Sequence, residues 1–135
     1  MTAWFLSRGG AVTLTWLALL AFLGRTMVDW RYVYPDEVPE GAVTVMSLVV
    51  TVALIAGWIW SILAAGRGAR WGTVGALALV LFLGVGLAAS TTVALCPSPC
   101  QTAWPLMEIA NWVQLVLGVL AAVALGIQLR RSAAR

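Results

Sequence analysis

The residues best placed to do chemistry are Glu108, Asn111 and Gln114, three polar side chains inside an otherwise apolar run. At about 100° per residue on a helix, Glu108 and Asn111 share a side with Gly118, Ala122 and Gly126, and Gln114 sits at its edge. That side should face protein. Arg25 lies near the end of an earlier apolar run, at a similar depth. Either charge left unpaired in lipid would cost kilocalories, so Arg25 and Glu108 are expected to approach each other or share a water. Arg25 with Asp29, at i,i+4, is a weaker competing pair. A carboxylate beside two amides could serve a proton-linked or cation site, or a polar pocket for a quinone headgroup. This carboxylate is shallow enough to reach water, however, and an interfacial pair that fixes the last helix against the first is the simpler expectation. No second acidic residue lies deep in an apolar run, which argues against a proton relay across a membrane.

The only cysteines form Cys96-Pro97-Ser98-Pro99-Cys100. If this segment faces an oxidising compartment, a disulfide closing the small loop is the leading expectation. A thiol oxidoreductase would need a second cysteine pair or an external thiol, and the chain supplies no second pair. Met27, Met46 and Met107 fall near the same end of their helices, and soft sulfur ligands select Cu(I). Methionine fills helix ends for packing far more often, and a disulfide would consume the best ligands, so no metal is expected. Histidine and lysine are absent, which removes the commonest general base and the usual haem and zinc ligands. No glycine loop cradling a phosphate precedes a helix. No cofactor is expected, and contact with a quinone or pigment has nothing further to support it.

These residues must be positioned by four apolar runs, Gly9–Val28, Ala42–Ala65, Gly72–Val93 and Pro105–Leu129. A hydrocarbon core about 30 Å thick needs roughly 20 mostly apolar residues at about 1.5 Å each. All four runs meet that length. With 62% hydrophobic and only 10% charged residues, the chain lies far outside the soluble range. Backbone groups in lipid must be satisfied internally, so the expectation is an all-α integral membrane protein, a single four-helix transmembrane domain over residues 1–135. The alternating short segments of a β-barrel are missing.

Positive charge orients the bundle, because arginines of short loops stay on the cytoplasmic side. Arg8, Arg67, Arg70, Arg130, Arg131 and Arg135 fall on one side; Arg25 and Arg31 fall on the other, among Asp29, Asp36, Glu37 and Glu40. Both termini are therefore expected in the cytoplasm, in the cell (inner) membrane, with the outer loops facing an oxidising compartment. The net charge of +3 reflects this pattern rather than affinity for nucleic acid. The first run could instead be a signal peptide, but Ala18, Ala21 and Gly24 make a poor cleavage site. Trp4, Trp30, Trp71 and Trp104 lie near the interfaces, where indoles are favoured.

Small residues recur every fourth position as Ala53, Gly57, Ser61 and Ala65, and as Gly118, Ala122 and Gly126; the third run adds Gly84 with Ala88. Such rows let helix backbones approach, and most are expected to pack within the bundle. Gly66–Arg70 is short and glycine-rich, so the second and third spans should be antiparallel neighbours. A weak echo at a shift of 60 residues, Phe22-Leu23-Gly24 with Phe82-Leu83-Gly84, is attributed to biased composition.

The function expected is that of a non-catalytic accessory subunit of a larger membrane assembly, energy-transducing assemblies being one class of host, with other integral membrane subunits and the lipid bilayer as partners. Trp30, Tyr32 and Tyr34 in the proline-stiffened hinge 29–41 are the expected partner-binding residues, since tyrosine and tryptophan are favoured interface anchors. The alternatives are a small oligomeric transporter or channel with Glu108 at its mouth, and an outer-face thiol redox or Cu(I)-handling protein using Cys96 and Cys100.

Overall fold

A computed structural model describes residues 2–32, 42–86 and 104–134. A short helix, α1 (Thr2–Phe5), turns at Ser7 into α2 (Arg8–Tyr32). Ser7 makes that corner: its hydroxyl donates to the Trp4 carbonyl at 2.6 Å and accepts from the Gly10 amide at 3.0 Å. Gly10 is required there, because a Cβ would run into the Trp4 carbonyl. The helix then continues through Asp29–Tyr32, residues expected in the outer hinge.

Helix α3 (Ala42–Gly66) ends in a left-handed glycine turn. Gly68 has φ 86°, its amide donates to Ala65 at 3.0 Å, and the Ala69 amide donates to Ala64 at 3.0 Å. These two bonds are the Schellman pair that satisfies the last carbonyls of a helix, and the positive φ is why glycine stands at that position. Helix α4 (Arg70–Leu79) starts at once and passes into a π-helical segment, Val80–Gly86. The last helix, α5 (Trp104–Ala133), has Pro105 in its first turn, where a missing N–H costs nothing, and Arg130 and Arg131 in its last, where cations complement the helix dipole.

Helices that follow one another in the chain pack antiparallel. Gly72 of α4 lies against Ala64 and Ala65, and Gly75 against Ser61, so α4 runs back along α3 with almost no side-chain layer between them. Helix α5 runs back along α2, with Gln114 bonded to Arg25 near one end and Gln128 bonded to the Leu6 carbonyl at the other. The core draws Ala11, Ala18, Leu19 and Phe22 from α2, Trp58 and Ile62 from α3, Ala76, Val80 and Leu83 from α4 and the π segment, and Ala121, Ala124 and Leu125 from α5. Phe22 and Trp58 meet as a tilted ring pair with centroids 5.8 Å apart. Seven large apolar side chains would be unusual on a water-facing helix surface, yet Leu20, Val49, Val50, Trp60, Phe82, Trp112 and Val116 all stand exposed.

All described regular elements are helical. Three helices are long and apolar enough to cross a membrane, Arg8–Met27, Leu48–Gly66 and Glu108–Ala133, and Arg70–Gly86 is apolar but shorter. The polypeptide is thus an all-α protein of membrane character. Arg8, the Arg67–Arg70 turn and Arg130 with Arg131 come together at one end: Arg8 lies over Gly68, and Arg131 donates to the Leu6 carbonyl at 2.7 Å.

Candidate functional site

The π segment is where the bundle departs from ideal geometry, and it is where the buried Gln114 and Arg25 meet. Wide i→i+5 turns occur most often as local bulges at functional or strained positions. Gln114 reaches this segment from α5. Its side-chain nitrogen donates to the Leu83 carbonyl at 2.9 Å and to the Gly84 carbonyl at 3.3 Å, while its side-chain oxygen accepts from Arg25 Nη1 at 3.3 Å. Gln114 is completely buried and Arg25 is 7% exposed. One amide therefore ties α2, the π segment and α5 together.

Gln114 can reach those carbonyls because the helices touch at glycines. A Cβ on Gly118 would stand 3.1 Å from the Gly84 carbonyl carbon and 3.2 Å from its oxygen, and a Cβ on Gly84 would stand 3.6 Å from Gly118 Cα. Gly118 is one turn from Gln114, so the close approach that the glycines permit sets the reach of the amide. Trp58 of α3 backs the crossing, its ring edge 4.0 Å from where a Gly84 Cβ would lie. Trp58 is fully buried, and its indole Nε1 finds no hydrogen-bond acceptor among the described residues. An unmet buried donor costs about 1–3 kcal/mol, so the tryptophan is held here by packing, against Phe22 and the crossing, in spite of its N–H.

The four polar residues singled out in the sequence take different positions. Arg25, Asn111 and Gln114 are buried, whereas Glu108 is exposed. The contact that Arg25 makes on α5 is with Gln114, more than a turn deeper than Glu108. Gln114 faces both the guanidinium and the π-segment carbonyls, while Glu108 is exposed on the surface of α5. Arg25 and Gln114 thus join α2 to α5 through a buried side-chain hydrogen bond.

The rows of small residues divide. Ser61 and Ala65 are buried against α4, but Ala53 and Gly57, on the same row, are exposed, and no atom of the described residues lies within 4 Å of a Gly57 Cβ. Gly118 meets Gly84, Ala122 is half-buried, and Gly126 again has open space. Straight helices that cross at an angle touch closely at one point and diverge from it, so a row is used only near the crossing. Gly72 and Gly75, which make the tightest approach in the bundle, were not singled out as packing residues by the row pattern. Their signal was two glycines three residues apart just after a helix stop. Trp30 and Tyr32 lie on the last turn of α2, with side chains outside the described set; Tyr34, Ala88, Cys96 and Cys100 also lie outside the described residues.

No protein family, curated protein or solved structure matches this chain. Its functional reading therefore rests on what the bundle buries and what it leaves open.

Proposed function

We propose that the chain crosses the cell (inner) membrane four times as an antiparallel bundle, with both termini and the arginine-bearing turn in the cytoplasm, and serves as a non-catalytic accessory subunit of a larger membrane assembly. The orientation is supported by the gathering of Arg8, Arg67, Arg70, Arg130 and Arg131 at one end, because short loops rich in arginine are retained on the cytoplasmic side. The fourth crossing is supported by the apolar segment Arg70–Gly86 and by the apolar sequence that follows it.

The accessory role is carried by one observation, the unfilled face of α3. Met46, Val49, Ala53, Gly57 and Trp60 recur at spacings of three and four, and all are exposed. Bulky side chains at every position would suit lipid equally well. A pair of small residues four apart, flanked by valine and tryptophan, instead makes a shallow groove into which another helix can settle. The outer loops around Tyr34 and Cys96–Cys100 would extend the same contact outside the membrane, the disulfide stiffening its loop.

Extraction in a gentle detergent tests the reading directly. The protein should come out with other integral membrane subunits in fixed stoichiometry. Recovery of a lone monodisperse homodimer would overturn the accessory role.

A further inference from the structure

The arginine-bearing end of the bundle holds a cleft that the proposed role does not use. Its floor is apolar, made by Ala11, Val12, Ala65 and Leu125, and its rim carries Arg8, Gly68, Arg70, Thr73, Gln128 and Ser132. The cleft has about 40 Å³ of space, against the roughly 10–15 Å³ that one water requires, so a small tetrahedral group fits. Most rim donors are already engaged. Gln128 donates to the Leu6 carbonyl at 2.6 Å, and Ser132 to the Leu129 carbonyl at 2.9 Å. The guanidinium groups of Arg8 and Arg70 have no hydrogen-bond or ion-pair partner among the described residues.

Among the described residues the acidic ones are Asp29 and Glu108, at the far end of α2 and the opposite end of α5. Arg8 lies over the left-handed turn, with Nη1 2.9 Å from where a Gly68 Cβ would be, and Arg70 begins α4 directly after that turn. Two guanidinium groups lining one small cleft, with no counter-charge at that end among the described residues, suit a phosphate better than a neutral group.

We propose that this cleft binds a phosphate group, held between Arg8 and Arg70. Two sources carry that chemistry: the headgroup of an anionic lipid in the cytoplasmic leaflet, and free phosphate. The lipid source rests on the proposed orientation, since basic pockets between helices on that side are placed to meet anionic headgroups.

The test uses the full chain purified in a neutral detergent, with phosphatidylglycerol and inorganic phosphate added separately, read by native mass spectrometry and by the thermal unfolding midpoint. Wild type should retain one phosphatidylglycerol per chain and unfold at a higher temperature with it. The Arg8→Gln/Arg70→Gln double variant should bind at least roughly tenfold more weakly, the scale of losing charge-assisted hydrogen bonds. Arg67→Gln/Arg130→Gln removes the same charge from the same end outside the cleft and should bind as wild type does. Because all four side chains are exposed, the unliganded midpoints should agree, which separates lost binding from lost folding. Stabilisation by phosphatidylglycerol alone assigns the site to lipid, and stabilisation by inorganic phosphate that disappears in the cleft variant assigns it to a soluble phosphate. Equal weakening in both double variants, or no response to either compound, overturns the proposal. Neither result depends on a partner subunit, so the accessory role is tested independently.

Discussion

The crossing of α5 over the π segment and the outward half of α3 are built from the same kinds of residue and put to opposite uses. At the crossing, Gly84 and Gly118 are buried against each other and Gln114 ties the two backbones together. On α3, Ala53 and Gly57 carry the same spacing and face outward, with nothing over Gly57. A small residue in an apolar helix thus records that a backbone is meant to come close, and leaves open whose backbone it is. The difference between the two regions lies in the polar group beside the glycines: the crossing has an amide that finds its acceptors inside the chain, and the α3 face has none.

Substitutions that test the inner contacts should have the largest effects on stability. Gly72→Ala places a Cβ 2.5 Å from both Ala64 Cβ and the Ala65 amide nitrogen, so backbone has to move; thermal or denaturant unfolding in detergent should show a loss of about 3 kcal/mol. Gln114→Leu keeps the volume and removes the amide. It strips Arg25 of one buried acceptor and the Leu83 and Gly84 carbonyls of their cross-helix donor, and about 2 kcal/mol should be lost. A Gln114→Leu variant as stable as wild type would mean that glycine packing alone sets the crossing. Gly118→Ala asks the Gly84 carbonyl to yield by a few tenths of an ångström, and should cost about 1 kcal/mol. In the outer half of α3 the same kind of change should cost nothing.

Much of this architecture could be read before any coordinates, and the parts that could not share a cause. Apolar runs long enough to span lipid mark α2, α3 and α5, because bilayer thickness is a constraint on length alone. The stop between α3 and α4 is equally local: Gly68 takes a positive φ that other residues resist, and the turn follows. The inward side of α5 is offset from the face that periodicity suggests: Asn111, Gln114 and Gly118 are buried, whereas Glu108 is exposed and a Cβ at Gly126 would meet open space among the described residues. The contact between Arg25 and Gln114 is not legible in the sequence: the π segment brings the Leu83 and Gly84 carbonyls within reach of Gln114, and no residue between Val80 and Gly86 announces a wide turn. The division of the α3 row is legible only once crossing points are known, because Ala53, Gly57, Ser61 and Ala65 are equivalent in spacing and differ only in where α4 meets them.

Gly57→Leu sharpens the comparison furthest, because the two regions predict different readouts for it. A leucine there meets open space within this chain, so the unfolding midpoint of the isolated protein should stay within about 0.5 kcal/mol of wild type, as surface changes usually do. If the groove seats a helix of another subunit, the same leucine fills it and holds the two backbones apart, and the stoichiometric partner should be lost from gentle extracts while the bundle itself survives. Ala53→Leu should act in the same direction, since Ala53 lies one turn along the same face. Leu63→Ala supplies the contrast: its side chain is 45% exposed on α3 outside the 53/57 row, and shortening it should leave association intact. Retention of the partner by Gly57→Leu and Ala53→Leu together would show that this face meets lipid, and would move the contact with any larger assembly to another surface of the bundle.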